Sequence, residues 1–324
     1  MKKLMSLPLT SVTLGEYEDL TTACSALGLD GLEGVWGGDG FPVDRVAPAL
    51  RVGYHLTFWP DWLDFWRGDE AALLRKFRTP QGWTGFYGGE NGRETLLDAY
   101  RADLERAVAW GAEYVVFHVC DVSLEEGYTY RWEHRHEEVI DAAAEVINLL
   151  LDGRNWPFAF LMENQWWPGL TFTDAALVHR LLDQIHYSGK GLLLDTGHLM
   201  NANIDLTTQE EGVAYIHTML DALGPLTSYI RAIHLHQSLS GPYVKSHAGR
   251  LPVGWAEEHD YLRKFGISYS HVLRVDQHLP FTCPAIATVV DRLAPDWLIH
   301  ELSASNRLAR ERALRVQLNT LGMI

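Results

Sequence analysis

Residues 94–120, ETLLDAYRADLERAVAWGAEYVVFHVC, contain one complete unit of the fold. Leu96, Leu97, Tyr100, Leu104 and Ala107 fall at helical spacing, which predicts a helix over 94–110 with a single apolar face. Gly111 supplies its stop signal. The run that follows, 113–120, is short, rich in valine and aromatic residues, and carries His118 near its end. Working outward in both directions, seven more runs of this kind appear, at roughly 3–9, 31–36, 51–58, 157–163, 191–195, 230–235 and 297–302. Helical patterns over 136–151, 173–187 and 209–223 separate several of them, and 304–320 predicts a closing helix. Strands that alternate with helices eight times predict an α/β fold with a parallel sheet closed into a (β/α)8 TIM barrel. A doubly wound open sheet is the alternative, but no glycine-rich phosphate loop follows the first strand.

The strand ends carry the chemistry. His55 in VGYHLTF, His118 in YVVFHVC, Glu163 in FAFLMEN, Asp195 in GLLLDTGH, His234 in IRAIHLH and Glu301 in WLIHELS each close an apolar run. Ionisable groups in such positions are costly unless something compensates them. Side chains alternate along a strand, so Glu163 faces the barrel interior while Met162 and Asn164 face the helices. The same parity turns Asp195 and Glu301 inward, and six ligand-type residues converge on one barrel mouth. His198 follows Asp195 by three residues, and Asp276-Gln277-His278 precedes the last helical segment. A lone strand-end histidine is more often a satisfied core residue than a ligand. Here the pattern recurs on consecutive strands, and no lysine or arginine stands at matching strand ends to balance the carboxylates. A divalent-metal site is therefore expected.

Bulk properties narrow the function. The chain has 324 residues and is 47% hydrophobic, ample for a large core. No linker or low-complexity break divides it, so one domain over 1–324 is expected. Forty-two acidic against 27 basic residues give a net charge of −15, which argues against general affinity for nucleic acid or anionic membrane. The apolar run near the start is too short for a signal-peptide core, and no stretch elsewhere could span a bilayer. Three scattered cysteines, with no CxxC, imply neither a disulfide framework nor a cysteine zinc site. A cytoplasmic protein with reduced thiols is expected.

Two long segments leave the C-terminal side of the barrel, 59–93 and 238–275. The first carries Trp59, Trp62, Trp66, Trp83, Phe86 and Tyr87, readable as lid or pocket wall. Equally, these aromatics can fill a satellite core or a subunit interface, which would make the chain a homo-oligomer. Trp59 and Trp166 are candidate stacking surfaces for a substrate, and Lys245 and Arg250 are candidates for gripping an anion. His134 and His136, two apart at a helix start, are poor co-ligands and are expected to be solvated. His179 and His186 are expected on a helix surface, and Cys120 as a buried bystander.

The motifs ENQ after an apolar strand, LDTGH, HLHQS, DQH and a final strand-end glutamate resemble the xylose isomerase-like barrel superfamily, and within it the endonuclease IV type. The resemblance spans nearly the whole chain. LDTGH is its most specific piece, while HLHQS departs from that type's His-Leu-Asn-Asp-Ser at His236 and Gln237. The resemblance implies a trinuclear zinc cluster. One metal would take His55, His118 and Glu163; a second Glu163, Asp195, His234 and Glu301; a third His198, Asp276 and His278. His247, in KSHAGR, competes with His278 for the third metal, and His236 is a weaker rival to His234.

Two chemistries follow. With two or three zincs, Glu163 bridging and Glu301 orienting or deprotonating the nucleophilic water, the chain would hydrolyse a phosphoester of a small molecule. With one Mn, Mg or Co ion, Glu163 and Glu301 would shuttle a proton across a sugar carbon, giving an isomerase or epimerase. The full set of five further ligand-type residues favours the hydrolase. Cleavage of duplex DNA at abasic sites fits poorly, because the loop after His55, FWPDWLDFWRGDE, has four acidic residues and one arginine. A non-catalytic metal-binding protein is the remaining class. A small phosphoester or sugar-like metabolite is the expected partner, with His247 and Lys245 as further substrate-contact candidates.

Overall fold

A computed structural model describes residues 1–38 and 40–324. Eight parallel strands close in sequence order, with β8 pairing back onto β1. They are β1 (Lys2–Leu9), β2 (Gly31–Trp36), β3 (Arg51–His55), β4 (Tyr114–His118), β5 (Ala159–Glu163), β6 (Lys190–Asp195), β7 (Ile230–Leu235) and β8 (Trp297–His300). The barrel expectation is met. Several strands are shorter than the apolar runs, because the chain turns away at the mouth once the last inward side chain is placed. β3 ends at His55, β4 at His118, and Glu301 lies one residue beyond β8.

Inward side chains fill the barrel. Leu4, Val52, Tyr114, Val116, Ala159, Leu161, Leu193, Ala232, Trp297 and Ile299 make the inner core. A far larger apolar layer lies between strands and helices. Its helix faces follow the sequence pattern: on Gly92–Trp110, Leu96, Leu97, Tyr100, Leu104 and Ala107 are all buried. Gly53 admits the Tyr114 ring, since a Cβ at that position would lie 2.3 Å from it. Tyr114 thereby reaches inward and donates its hydroxyl to Glu33 at 2.8 Å.

Register then levels the strand ends. His118 pairs with Glu163 across β4 and β5, and Asp195 with His234 across β6 and β7. Neighbouring ligand-type residues therefore stand side by side at one height. The helices differ from expectation only at their ends: Ala175–Gln184 stops short of His186, and the closing helix is Arg307–Thr320.

Both long segments are structured. The first forms helices Leu63–Arg67, Glu70–Phe77 and Pro80–Tyr87; the second forms Gly241–His247 and Tyr261–Val275. They pack on each other through an aromatic satellite core, with Tyr261 stacked 3.9 Å from Phe77 and 4.9 Å from Phe86. Beneath it lies a buried ionic knot. Lys76 Nζ reaches Asp61 and Asp64, each at 2.7 Å, and Asp121 accepts the backbone N–H groups of Trp62 and Leu63. His134 joins this knot, 3.2 Å from Asp64, so it is enclosed rather than solvated as expected. Among the described residues, no helix is long and apolar enough to cross a membrane.

Candidate metal centre

Glu163 stands at the end of β5, completely buried, at the centre of the mouth. Its Oε2 is 2.9 Å from His118 Nε2 and 3.4 Å from His55 Nε2. Its Oε1 is 3.2 Å from His198 Nδ1 and 3.4 Å from His234 Nδ1. Glu301 Oε2 approaches the same His234 nitrogen at 2.9 Å, with Asp195 Oδ2 at 3.8 Å. On the far side, Asp276 Oδ2 lies 2.6 Å from His278 Nε2 and 3.2 Å from His198 Nε2.

Ligand atoms gather into three groups, each within 4.8 Å: His55, His118 and Glu163; Glu163, Asp195, His234 and Glu301; and His198, His236, Asp276 and His278. All nine expected ligand positions are thus brought together at one mouth, and a tenth side chain, His236, joins them. His278 is in the cluster and His247 is not. His247 sits exposed, its ring on Tyr243, and bonds the Ser246 hydroxyl.

The donor set fits divalent cations. Among the described residues, no lysine or arginine pairs with Glu163, Asp195, Asp276 or Glu301; their close neighbours are imidazoles. Both oxygens of Glu163, Asp276 Oδ1, Glu301 Oε2 and His234 Nδ1 are buried without a hydrogen-bond partner. Orphaned buried acceptors of this kind are what a cation would satisfy.

An outer layer orients the rings. His55 Nδ1 donates to the Leu56 carbonyl, His278 Nδ1 to that of Glu301 and His198 Nδ1 to that of Asn164. Each leaves Nε2 facing the carboxylates, the arrangement expected of histidine ligands. His234 is reversed: its Nε2 lies 3.0 Å from Glu33, so Nδ1 points to the centre. Asp195 serves twice. Its Oδ1 accepts the His198 backbone N–H as the N-cap of helix Thr196–Asn201, and its Oδ2 lies 2.8 Å from His236 Nε2 and 3.8 Å from His234 Nδ1.

Charge coupling is strong. Burial opposes the imidazolium of His55, but the Glu163, Glu33 and Glu301 carboxylates outweigh it and lift its pKa to about 9. His278 rises to about 10 against burial, through Asp276, Glu301 and Asp195. His118 goes the other way, because burial outweighs Glu163. Burial would raise Glu163, yet His118 and His234 hold it well below the usual carboxylate range.

A cavity of about 380 Å³ opens over this centre, with His118, His198, Asp276, His278 and Glu301 in its floor. Phe58, Trp166, Trp167, Tyr128 and Phe265 wall it, and among the described residues no lysine or arginine lines it. Trp166 leans on His198 at 5.1 Å between ring centres. Trp59 does not line this cavity; it packs on Phe86 and Tyr87 in the satellite core. Lys245 is also absent from the wall, paired at the surface with Asp205 at 2.6 Å, and Arg250 is exposed. The helix Gly241–His247 turns Lys245 outward, and Arg250 lies beyond its end. Cys120 is buried, and burial keeps its thiol protonated. His179 and His186 lie at the surface beside Asp183 and Asp152.

One side chain escapes the sequence reading, and a second, His236, is read there only as a rival to His234. Glu33 in GLEGVW sits mid-strand rather than at a strand end, and a register shift at Leu32/Glu33 disturbs the parity there. His236 was readable: it is two residues past His234, so alternation puts both on the inward side.

A closed eight-stranded (β/α)8 barrel with imidazoles and carboxylates gathered at its C-terminal mouth defines the class. The chain belongs to the xylose isomerase-like TIM barrel family, whose model matches residues 22–317. Among solved structures, endonuclease IV from Thermus thermophilus is similar at 17% identity and TM-score 0.56, covering 100% of both chains. A D-tagatose 3-epimerase-like protein is similar at 14% identity and TM-score 0.56, over 100% of this chain and 98% of that one. An IolI protein with a bound zinc atom matches at 14% identity and TM-score 0.53, over 99% and 98%. No curated protein matches the chain.

Proposed function

We propose that this chain, acting as one barrel over 1–324, is a divalent-metal-dependent hydrolase that cleaves a phosphoester of a small molecule. The observation that carries the reading is the position of Glu163. Its carboxylate belongs to two ligand groups at once, with His55 and His118 on one side and Asp195, His234 and Glu301 on the other. A shared carboxylate between separate ligand sets suits a multinuclear centre, most simply of zinc, with two or three ions. Metals held there would make a water nucleophilic at neutral pH and neutralise charge on phosphoryl oxygens.

The chain's own residues divide the remaining work. Glu301, buried less deeply than Glu163 and facing the cavity, is placed to orient the attacking water and accept its proton. Trp166 and Phe58 offer apolar faces to the organic part of the substrate. A wall without lysine or arginine leaves the phosphoryl charge to the centre itself. That wall and the net charge of −15 disfavour nucleic acid as substrate. Three unpaired, buried cysteines support a cytoplasmic setting.

A second reading draws on a different observation. Glu163, Asp195, His234 and Glu301 form a complete set for one Mn, Mg or Co ion, beneath an aromatic wall suited to a sugar face. That arrangement would serve an isomerase or epimerase, with the two glutamates as proton shuttles. Zinc-loaded protein assayed on chromogenic phosphomonoesters and phosphodiesters, alongside aldoses and ketoses, separates the two. Phosphoester turnover that stops on chelation and returns with zinc is expected. Sugar interconversion without phosphoester turnover would overturn the hydrolase.

A further inference from the structure

The wall of the cavity over the centre is chemically unlike its floor. Phe265, Tyr269, Val272 and Leu273 recur at helical spacing on Tyr261–Val275 and turn one apolar stripe toward the opening. Trp166, Trp167 and Val122 line the cavity too and belong to the same apolar cluster as Val272. Tyr269 and Leu273 are also exposed, so the apolar surface runs from the interior out to the lip. Apolar surface left open in this way marks a place where something apolar binds.

The polar side chains on this wall are turned to the protein. His271 Nε2 donates to the Gly127 carbonyl at 3.2 Å, and its Nδ1 accepts the Tyr243 hydroxyl at 2.8 Å. Burial lowers the pKa of His271, so its ring adds no charge. The Tyr128 hydroxyl donates to the Ile267 carbonyl at 3.3 Å, and Ser123 is bonded to Glu126 through both its backbone N–H and its hydroxyl. Ser268 Oγ stands apart: it is buried without a partner and offers a single hydrogen bond. A sugar entering here would give up water at several hydroxyls and regain few hydrogen bonds, and each hydroxyl left unpaired costs affinity. An apolar ring has no such groups to strand.

We propose that the organic part of the substrate is an apolar ring, one aryl group in size, rather than a polyol, and that Phe265 and Val272 set this preference. The cavity volume of about 380 Å³ lies near the lower end of ligand pockets, roughly 300–1,000 Å³, which suits one ring and its head group. The charged floor takes the head group, and the stripe on Tyr261–Val275 covers the ring. The inference rests on the phosphoester reading of the centre for its head group alone.

Zinc-loaded protein is titrated calorimetrically with three non-hydrolysable ligands: methylphosphonate, phenylphosphonate and a polyhydroxylated butylphosphonate. Phenylphosphonate should bind roughly 10–100-fold tighter than methylphosphonate, and the polyhydroxylated ligand no tighter than methylphosphonate. Val272→Gln and Phe265→Gln, at half-buried positions, should each cut the phenyl-to-methyl ratio at least about threefold. A ratio near one in the wild type, a polyhydroxylated ligand that binds best, or a ratio that both variants leave unchanged overturns the apolar class. Tight phenylphosphonate binding without hydrolysis of phenyl phosphate is a different result: it upholds the ring pocket while the hydrolase reading fails. If no phosphonate binds, acetohydroxamate and benzohydroxamate, which grip a metal without a phosphoryl group, decide. A preference of about tenfold or more for benzohydroxamate supports the ring pocket, and no preference contradicts it.

Discussion

Glu33→Gln tests how far the floor of the barrel governs the metal centre. Glu33 is fully buried, accepts the Tyr114 hydroxyl at 2.8 Å and lies 3.0 Å from His234 Nε2. That contact fixes the proton on Nε2 and turns Nδ1 toward Glu301 and Glu163, at 2.9 and 3.4 Å. Glutamine keeps the size and one acceptor oxygen, and the Tyr114 hydroxyl can rotate to accept from the new amide. What is lost is the charge. A charge-assisted hydrogen bond contributes about 1.5–3 kcal/mol, about twice a neutral one. Losing the charge therefore costs about half of that, about 0.8–1.5 kcal/mol, and since about 1.4 kcal/mol is tenfold in affinity, it should weaken the ion at Glu163, Asp195, His234 and Glu301 by roughly 3–10-fold. Competition with a chromogenic chelator measures this directly, with circular dichroism confirming the fold. An affinity within about twofold of wild type would refute the idea that Glu33 tunes His234.

Other perturbations separate the remaining parts. His118→Asn should abolish turnover if His118 is a ligand of the working cluster, whereas retained kcat with altered KM on a sugar favours the isomerase. Lys76→Met leaves Asp61, Asp64 and Asp121 buried without their cation and should cost about 3–5 kcal/mol in denaturant unfolding; an unchanged midpoint would show the knot to be dispensable. In metal-free protein, His55 and His278 have pKa values of about 9 and about 10, above the unfolded value of about 6.5. Their protonation therefore stabilises the metal-free fold fully below pH 6.5, and that stability drains away as pH rises toward 9–10. Zinc must displace those same protons, so its apparent affinity should keep rising above neutral pH. Thermal melts across about pH 7–10 should accordingly show a melting temperature that falls with pH for stripped protein and stays nearly flat for loaded protein, because the gain in zinc affinity offsets what the metal-free fold loses.

Much of this was legible in the sequence for a simple reason. In a parallel barrel, each strand is an apolar run and each run ends at the same mouth. Period-two alternation thus converts a list of strand-end residues into a converging set, as for Glu163, Asp195 and Glu301. The same rule placed His236 inward, but its packing over Gly197 and against the His278 ring became visible only in the fold. Glu33 was hidden because it lies mid-strand beside an irregular register, where alternation does not tell the interior from the helix side. Trp59, Lys245 and His247 depended on loop paths rather than strand parity. Tertiary packing of the two long segments decides where they point: Trp59 joins the satellite core, while Lys245 and His247 face outward.

The most direct test of a shared, multinuclear centre is the metal content of the wild-type chain. Tag-free protein, purified without added metal, is analysed by elemental mass spectrometry. Two or three zincs per chain are the expected result, reflecting ligand groups that meet at Glu163. A single manganese, magnesium or cobalt would contradict it and leave a mononuclear isomerase or epimerase site.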